Sequence, residues 1–324
     1  MGTPEPARLV LEKILESGSH ELAGVVSQPD RPAGRGRKNT PPPVKAYAEE
    51  QGIPVFQPEK IKGNEEFRQR LGSLKPDILV VVAYGKILPP EILQIPRLGG
   101  VNVHYSLLPR YRGAAPVQWA IMNGDMETGV TIMKLSEGLD EGDILDSESV
   151  EILDDDDTVS ITNYLTCVGA DLLLRVLAKA EKTGELKGTP QEEAHAGYAP
   201  RITRENAIVD WSLPSRLIVR RVHGLRPWPC AISYAREREI KILEAVLPHV
   251  SDRDRLPETA KDKIKPGTVV DYARGKGFYV RTGDGFLLVT CVKPENKSEM
   301  SGDDCVNGGY VKIGTRFTFS PQET

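Results

Sequence analysis

Cysteine is scarce, with four residues, Cys167, Cys230, Cys291 and Cys305, scattered over 324 positions. That spacing excludes a disulfide scaffold and offers no metal-type pair, so reduced thiols in a cytoplasmic protein are expected. Long apolar stretches are also missing. No uninterrupted run approaches the ~18 residues that cross a bilayer, so no membrane-spanning segment and no membrane partner are expected. The N-terminus, Met1-Gly2-Thr3-Pro4-Glu5, has neither the basic stretch nor the apolar core of a secretory leader. There are no internal repeats. What is present is a chain of 35.7 kDa with 39% hydrophobic and 27% charged residues and a mean hydropathy of -0.33. This is a globular composition, and the length exceeds what one core usually organises, so two domains are expected.

The net charge of -4 conceals an asymmetry. Residues 201–324 carry 21 Lys/Arg against 16 Asp/Glu, whereas residues 1–200 carry 21 against 30. A basic minority half admits a polyanionic partner, although an ordinary solvated surface accounts for a surplus of this size.

Thr3 and Pro4 open a helix whose apolar positions recur from Ala7 to Leu15 until Gly18 stops it. Strands at 23–26, 55–56, 78–83 and 101–104 alternate with helices near 44–51, 64–73 and 116–122, and several strands are apolar without polar alternation. Strands of that kind are buried on both faces, which predicts an α/β domain with a mostly parallel sheet. Further strands are expected at 131–133 and 144–152, and a long helix at 157–183. After Gly184 the Gly- and Pro-rich texture marks a linker at 185–204 between a domain at 1–184 and another at 205–324. The latter shows short strands and Gly-rich turns, which predicts a small β-barrel or sandwich, with a polar loop at 251–265.

The densest chemistry lies in Asn102-Val103-His104-Tyr105-Ser106-Leu107-Leu108-Pro109-Arg110-Tyr111-Arg112-Gly113-Ala114-Ala115-Pro116. Residues 102 and 104 share a face because strand side chains repeat every second position. They close an apolar segment at a strand's C-terminal end, where ligands bind in open α/β sheets. A donating carboxamide beside an imidazole suits the oxyanion of an acyl transfer. On spacing alone, a histidine satisfied by a backbone carbonyl is the simpler reading.

Together with Thr128-Gly129-Val130-Thr131-Ile132-Met133 and Gly138-Leu139-Asp140-Glu141-Gly142-Asp143, that stretch resembles the folate-dependent formyltransferases. Gln28-Pro29-Asp30-Arg31-Pro32-Ala33-Gly34-Arg35-Gly36, Val82-Ala83-Tyr84-Gly85, Val209-Asp210-Trp211 and Gly308-Gly309 follow the family's order along nearly the whole chain. The resemblance implies a Rossmann-like, mostly parallel sheet followed by an OB-type β-barrel that contacts tRNA. It implies transfer of the formyl group of 10-formyltetrahydrofolate to the amino group of methionine on initiator tRNA, for translation initiation. Neither a metal nor a covalent enzyme intermediate is required, and a monomer is expected. Asn102, His104 and Asp140 match the family's catalytic trio, and Ser106, Leu107, Leu108 and Pro109 its folate-binding segment. Without that match, Asp140 is one carboxylate in an acidic surface-loop composition.

Residues 28–45 carry Arg31, Arg35, Arg37, Lys38 and Lys45 against the single acid Asp30, on Pro- and Gly-rich sequence that reads as a loop. The plain reading is solvated loop; the functional one is a segment that neutralises nucleic-acid phosphates. The resemblance implies entry into the tRNA acceptor region, with Arg35 as the matching arginine and Arg37 and Lys38 as helpers. Trp211 and Trp228 are expected in the core of the second domain.

Two departures stand out. Tyr105 occupies a place where formyltransferases generally have a small residue, and its ring is expected to narrow the folate site. Met1 directly precedes Gly2-Thr3-Pro4-Glu5, where the family has an apolar first strand. The expectation is a longer natural protein and, without that strand, unpaired backbone on two neighbouring strands at ~1–3 kcal/mol for each unmet hydrogen bond. A formyltransferase of sugar amines or purine precursors is the alternative; it would keep the trio and need neither the basic loop nor the basic domain. A nucleic-acid-binding protein without catalysis is disfavoured by the intact trio.

Overall fold

Proline and glycine set most of the first boundaries. The first helix, α1 (Glu5–Glu16), starts behind Pro4 with an acid in its first turn and ends before Gly18, which has φ +61°. The computed structural model describes residues 1–33, 38–249 and 264–321. Arg35 and Arg37 lie outside the described residues, as does most of the loop expected at 251–265; Lys38 is described in its backbone only. After α1 come β1 (Val25–Val26), β2 (Arg31–Ala33), β3 (Lys38–Thr40), α2 (Pro43–Glu50), β4 (Val55–Phe56), α3 (Glu65–Ser73), β5 (Leu79–Val81) and α4 (Pro90–Leu93). Next are β6 (Gly100–His104), β7 (Arg112–Gly113), α5 (Pro116–Met122), β8 (Glu127–Lys134), β9 (Ile144–Glu151), α6 (Thr158–Thr183) and β10 (Tyr198–Ala199). The last part holds α7 (Ser215–Gly224), β11 (Ala231–Ala235), β12 (Arg238–Val246), β13 (Val269–Ala273), β14 (Gly277–Arg281), β15 (Phe286–Pro294), β16 (Met300–Ser301), α8 (Gly302–Asn307) and β17 (Phe317–Thr318).

The chain divides into two units. One comprises residues 1–116, 127–151 and 161–199; the other comprises 117–126, 152–160 and 200–324. In the first unit, β1 pairs with β4 and β5 with β6, both parallel, and β8 and β9 extend β6 antiparallel. The parallel strands match the apolar runs of the sequence; Val25, Val26, Leu79 and Val81 are buried. Helix α6 is long and apolar enough to cross a membrane by length and composition alone. This qualifies the expectation from sequence, which considered uninterrupted runs only. Its Ile161, Leu165, Leu172, Leu173, Leu177 and Ala180 are buried.

Met1 and Gly2 lie between the two parallel pairs. The Met1 amine donates to Val80 O at 2.6 Å, Val82 N to Met1 O at 2.9 Å, and Gly2 N to Val26 O at 3.0 Å. Beyond these bonds a cavity of about 490 Å³ separates β1 from β5, lined by Val10, Leu11 and Ile14 of α1 and Leu177 and Ala180 of α6. Burial pushes the Met1 amine down to about 5.

In the second unit a sheet runs β13-β14-β15-β12-β11-β17, with β16 on β15 and every pairing antiparallel. A bridge from Thr268 to Arg316, just ahead of β17, links the first strand to the last, so the sheet curls into a barrel. Trp211 is buried, stacks on Phe317 at 5.4 Å and donates to Ser233 Oγ, as expected of a core residue. Trp228 does not follow that expectation. Its ring is 64% exposed, because the turn between Arg226 and Cys230 carries it off the end of α7 with a proline on either side. Helix α7 is a second difference, since the sequence past 205 reads as strands and turns. Its Ile218, Val219 and Val222 are β-branched, yet they fall on one buried helical face.

Candidate active site

Strand alternation places the first two candidate residues. A methyl group added to Gly169 of α6 would meet Val103 Cγ1 at 3.0 Å and Tyr105 Cε1 at 3.9 Å, so residues 103 and 105 face α6. The Tyr105 hydroxyl is 3.1 Å from Thr166 Oγ1 on the same helix, and burial raises its phenol to about 12. The expectation that this ring narrows the site is therefore corrected: it packs against α6, on the face opposite Asn102 and His104.

Asn102 and His104 meet Asp140. Asn102 Nδ2 is 3.5 Å from Asp140 Oδ1, and His104 Nδ1 is 3.6 Å from Asp140 Oδ2. Gly113 N donates to the same Oδ2 at 2.9 Å. His104 Nε2 lies 2.9 Å from Tyr111 O, so the backbone-satisfied reading of this histidine holds for one ring nitrogen. Because a carbonyl only accepts, Nε2 carries a proton; Nδ1 is then the nitrogen turned toward Asp140.

Asp140 has φ +56°, in the left-handed region. That conformation costs about 1–2 kcal/mol for a residue with a Cβ, somewhat less for Asp. A hydrogen bond to a charged acceptor contributes about 1.5–3 kcal/mol, so the Gly113 contact alone offsets the strain. Gly113 itself has φ +122°, and a methyl group there would sit 2.6 Å from Ala199 O of β10. Only glycine lets the exit strand lie this close to the residue that holds Asp140.

The expected folate segment is stitched into a tight loop. Ser106 Oγ donates to Arg110 O at 2.7 Å, Thr131 Oγ1 donates to Ser106 O at 2.7 Å, and Leu108 N donates to Thr131 Oγ1 at 3.2 Å. Ser106 and Leu108 are buried, while Leu107 and Pro109 are half-buried. The Ser106 hydroxyl is thus engaged within the loop, and Leu107 and Pro109 present the more accessible surface. The other motifs also converge. Gln28 Nε2 and Thr3 Oγ1 both donate to Tyr84 O, and Gln57 Nε2 bridges Gln28 O and Asp30 Oδ1. Asp30 also accepts from Lys45 at 2.8 Å; hydrogen bonds from Gln57 and then Lys45 hold its carboxyl below the usual range. Lys45 is therefore committed to Asp30. The expected tRNA-gripping residues Arg35 and Arg37 lie outside the described residues; for Lys38 only its backbone, at the start of β3, is described.

Several participants were given no role in the sequence reading. Tyr111 and Gly113 act through backbone groups, and Gln191 and Arg112 through side chains. Arg112 is fully buried, donating from Nε to Gln191 Oε1 at 3.0 Å and from its two terminal nitrogens to Glu193 at 2.7 and 3.1 Å. The arginine holds the Glu193 carboxyl below its usual range. Gln191 and Glu193 fall in the stretch expected as linker. Up to Ala199 it is bonded into the first unit: Thr189 pairs with Ile144, and β10 pairs parallel with β7.

A carboxamide, an imidazole and a carboxylate thus meet at the end of a strand of the α/β sheet. The chain belongs to the formyl transferase family: residues 1–177 match Formyl transferase and residues 201–309 match Formyl transferase, C-terminal domain. It is 43% identical over 317 residues to a methionyl-tRNA formyltransferase of Dictyoglomus thermophilum, covering 98% of each chain. It is 44% identical over 324 residues to that of Symbiobacterium thermophilum, covering all of this chain and 95% of the other. Among solved structures the fold is similar to WlaRD, a sugar 3N-formyl transferase in the presence of dTDP and 5-N-formyl-THF, with TM-score 0.62, 17% identity and coverage of 92% and 97%. It is also similar to HypX from Aquifex aeolicus in complex with tetrahydrofolic acid, with TM-score 0.61, 20% identity and coverage of 90% and 48%.

Proposed function

We infer that this chain transfers the formyl group of 10-formyltetrahydrofolate to the α-amine of methionine carried on initiator tRNA, in the cytoplasm. The observation that carries this reading is the near full-length likeness at 43% identity to methionyl-tRNA formyltransferases, joined to the convergence of Asn102, His104 and Asp140. The neutral amine attacks the formyl carbon. The C–N bond to the methionine nitrogen forms as the bond to folate N10 breaks, and one amine proton moves to N10, leaving formyl-methionyl-tRNA and tetrahydrofolate. The carbonyl oxygen carries negative charge midway. Asn102 Nδ2 and His104 Nδ1 are the donors aimed at the corner where that charge develops.

Asp140 has two tasks in this scheme. Its carboxylate holds the His104 ring in place, and it accepts the amine's proton through water for delivery to the departing nitrogen. No step requires a metal. Ser106, Leu107, Leu108 and Pro109 bind the folate, chiefly through backbone groups and the Leu107 and Pro109 surfaces. Arg35, Arg37 and Lys38 hold the tRNA end.

The decisive experiment incubates the protein with 10-formyltetrahydrofolate and Met-tRNA, comparing initiator with elongator tRNA and with a sugar amine as acceptor. Formyl-methionine on initiator tRNA is expected. Formylation of the sugar amine alone overturns the reading in favour of a small-molecule enzyme.

A further inference from the structure

We propose that Gln191 is a positioning residue for the transfer site, oriented by Arg112, and that its carboxamide fixes the backbone turn presenting Asp140. This rests on the acyl-transfer reading above. Gln191 Nε2 donates to Asp140 O at 2.8 Å and to Gly142 O at 2.8 Å. Both of its protons thus go to carbonyls of one turn, two residues apart. Gln191 Oε1 accepts from Arg112 Nε at 3.0 Å. A guanidinium only donates, so the amide has one orientation compatible with this network.

The turn it braces needs such a hold. Asp140 is left-handed, and a methyl group on Gly142 would fall 1.9 Å from Lys134 O, so the backbone runs in a channel with no slack. Arg112 completes the tie. Glu193 fixes the guanidinium from the side, and the next residue in the chain, Gly113, gives its N–H to the Asp140 carboxylate. One end of Asp140 is therefore held by Gly113 and the other by Gln191, and both trace to β7.

The test compares wild type with Gln191→Met and Gln191→Glu. Methionine matches the length without hydrogen bonds. Glutamate accepts from Arg112 and offers nothing to the two carbonyls. Both variants are expected to lower kcat about 10–100-fold, the scale of an ångström-level misplacement of a reacting group, with KM for folate and for Met-tRNA within about twofold. Amide hydrogen exchange across residues 138–142 is expected to quicken in both. A kcat within about twofold of wild type, or a loss explained wholly by a smaller folded fraction, overturns the proposal. Unchanged exchange across the turn overturns it irrespective of turnover. If wild type transfers no formyl group, the acyl-transfer reading falls, and the exchange comparison still decides the tie.

Discussion

Asp140 separates catalytic charge from structural contact more cleanly than its neighbours. Asn at this position keeps an oxygen for Gly113 N–H and loses the carboxylate that accepts a proton in the proposed mechanism. Asp140→Asn is therefore expected to lower kcat about 10²–10⁴-fold, the range of a general acid–base group, with an unchanged unfolding midpoint. Single-turnover formylation beside a thermal melt checks both parts. His104→Ala should lose turnover likewise, with a small loss of stability from the vacated Tyr111 carbonyl. Tyr105→Phe tests the corrected placement of that ring: turnover is unchanged, and stability falls by about 1 kcal/mol with the loss of the Thr166 hydrogen bond. At this scale the sequence made Asn102 and His104 legible, since alternation places them together, and the family resemblance singled out Asp140 from an acidic loop. Gln191 was not legible. One glutamine in a Gly- and Pro-rich stretch has no periodicity, and its partners are carbonyls some 50 positions away.

Among the elements, the parallel strands and flanking helices were readable because apolar runs and Pro/Gly punctuation fall at their bounds. Segment 31–40 was read as a loop and contains a short antiparallel pair, β2 with β3, in which Pro32 stands opposite Asn39. Proline hid the strand, as it is confined to edges where no ladder hydrogen bond is lost. This pair flanks the basic residues at 35 and 37. Arg35→Ala is expected to raise KM for Met-tRNA and steepen neither the folate KM nor its salt dependence; steady-state kinetics varied in each substrate check it. An equal loss for both substrates would contradict a role confined to the tRNA. Helix α7 was missed for the opposite reason, because its β-branched residues weaken the helical signal that tertiary packing restores.

Across the whole molecule, the opposite charges of the two halves now have a rationale: the basic residues 201–324 suit a polyanionic substrate. The pH dependence of stability has an identifiable contributor in His223, buried in α7, where desolvation lowers its affinity for a proton. Below about pH 6.5 the unfolded chain takes up a proton here that the folded chain resists, so stability falls as pH drops from 7 toward 5. Urea melts across that window should show the slope, and His223→Gln should make it shallower, leaving the part due to the buried Met1 amine. Carboxylates held low by partners, such as Asp154 and Glu193, act in a more acidic window. The mostly parallel sheet and the barrel were legible from composition of the strands; closure of the barrel by Thr268 and Arg316 was not, because a single bridge leaves no pattern.

The segment 189–199 is clamped at both ends, by Ile144 at Thr189 and by β7 at Ala199. Its residue count is thus a measured quantity. Inserting or deleting one residue between Thr189 and Gln191 displaces Gln191 by about 3.3 Å along the chain, beyond hydrogen-bond reach of the Asp140 turn. Insertions beyond Pro200, outside the clamped span, carry no such penalty for the site. A stretch that resembles slack connecting chain is in this respect a ruler, and length variation, more than substitution, is the change it tolerates least.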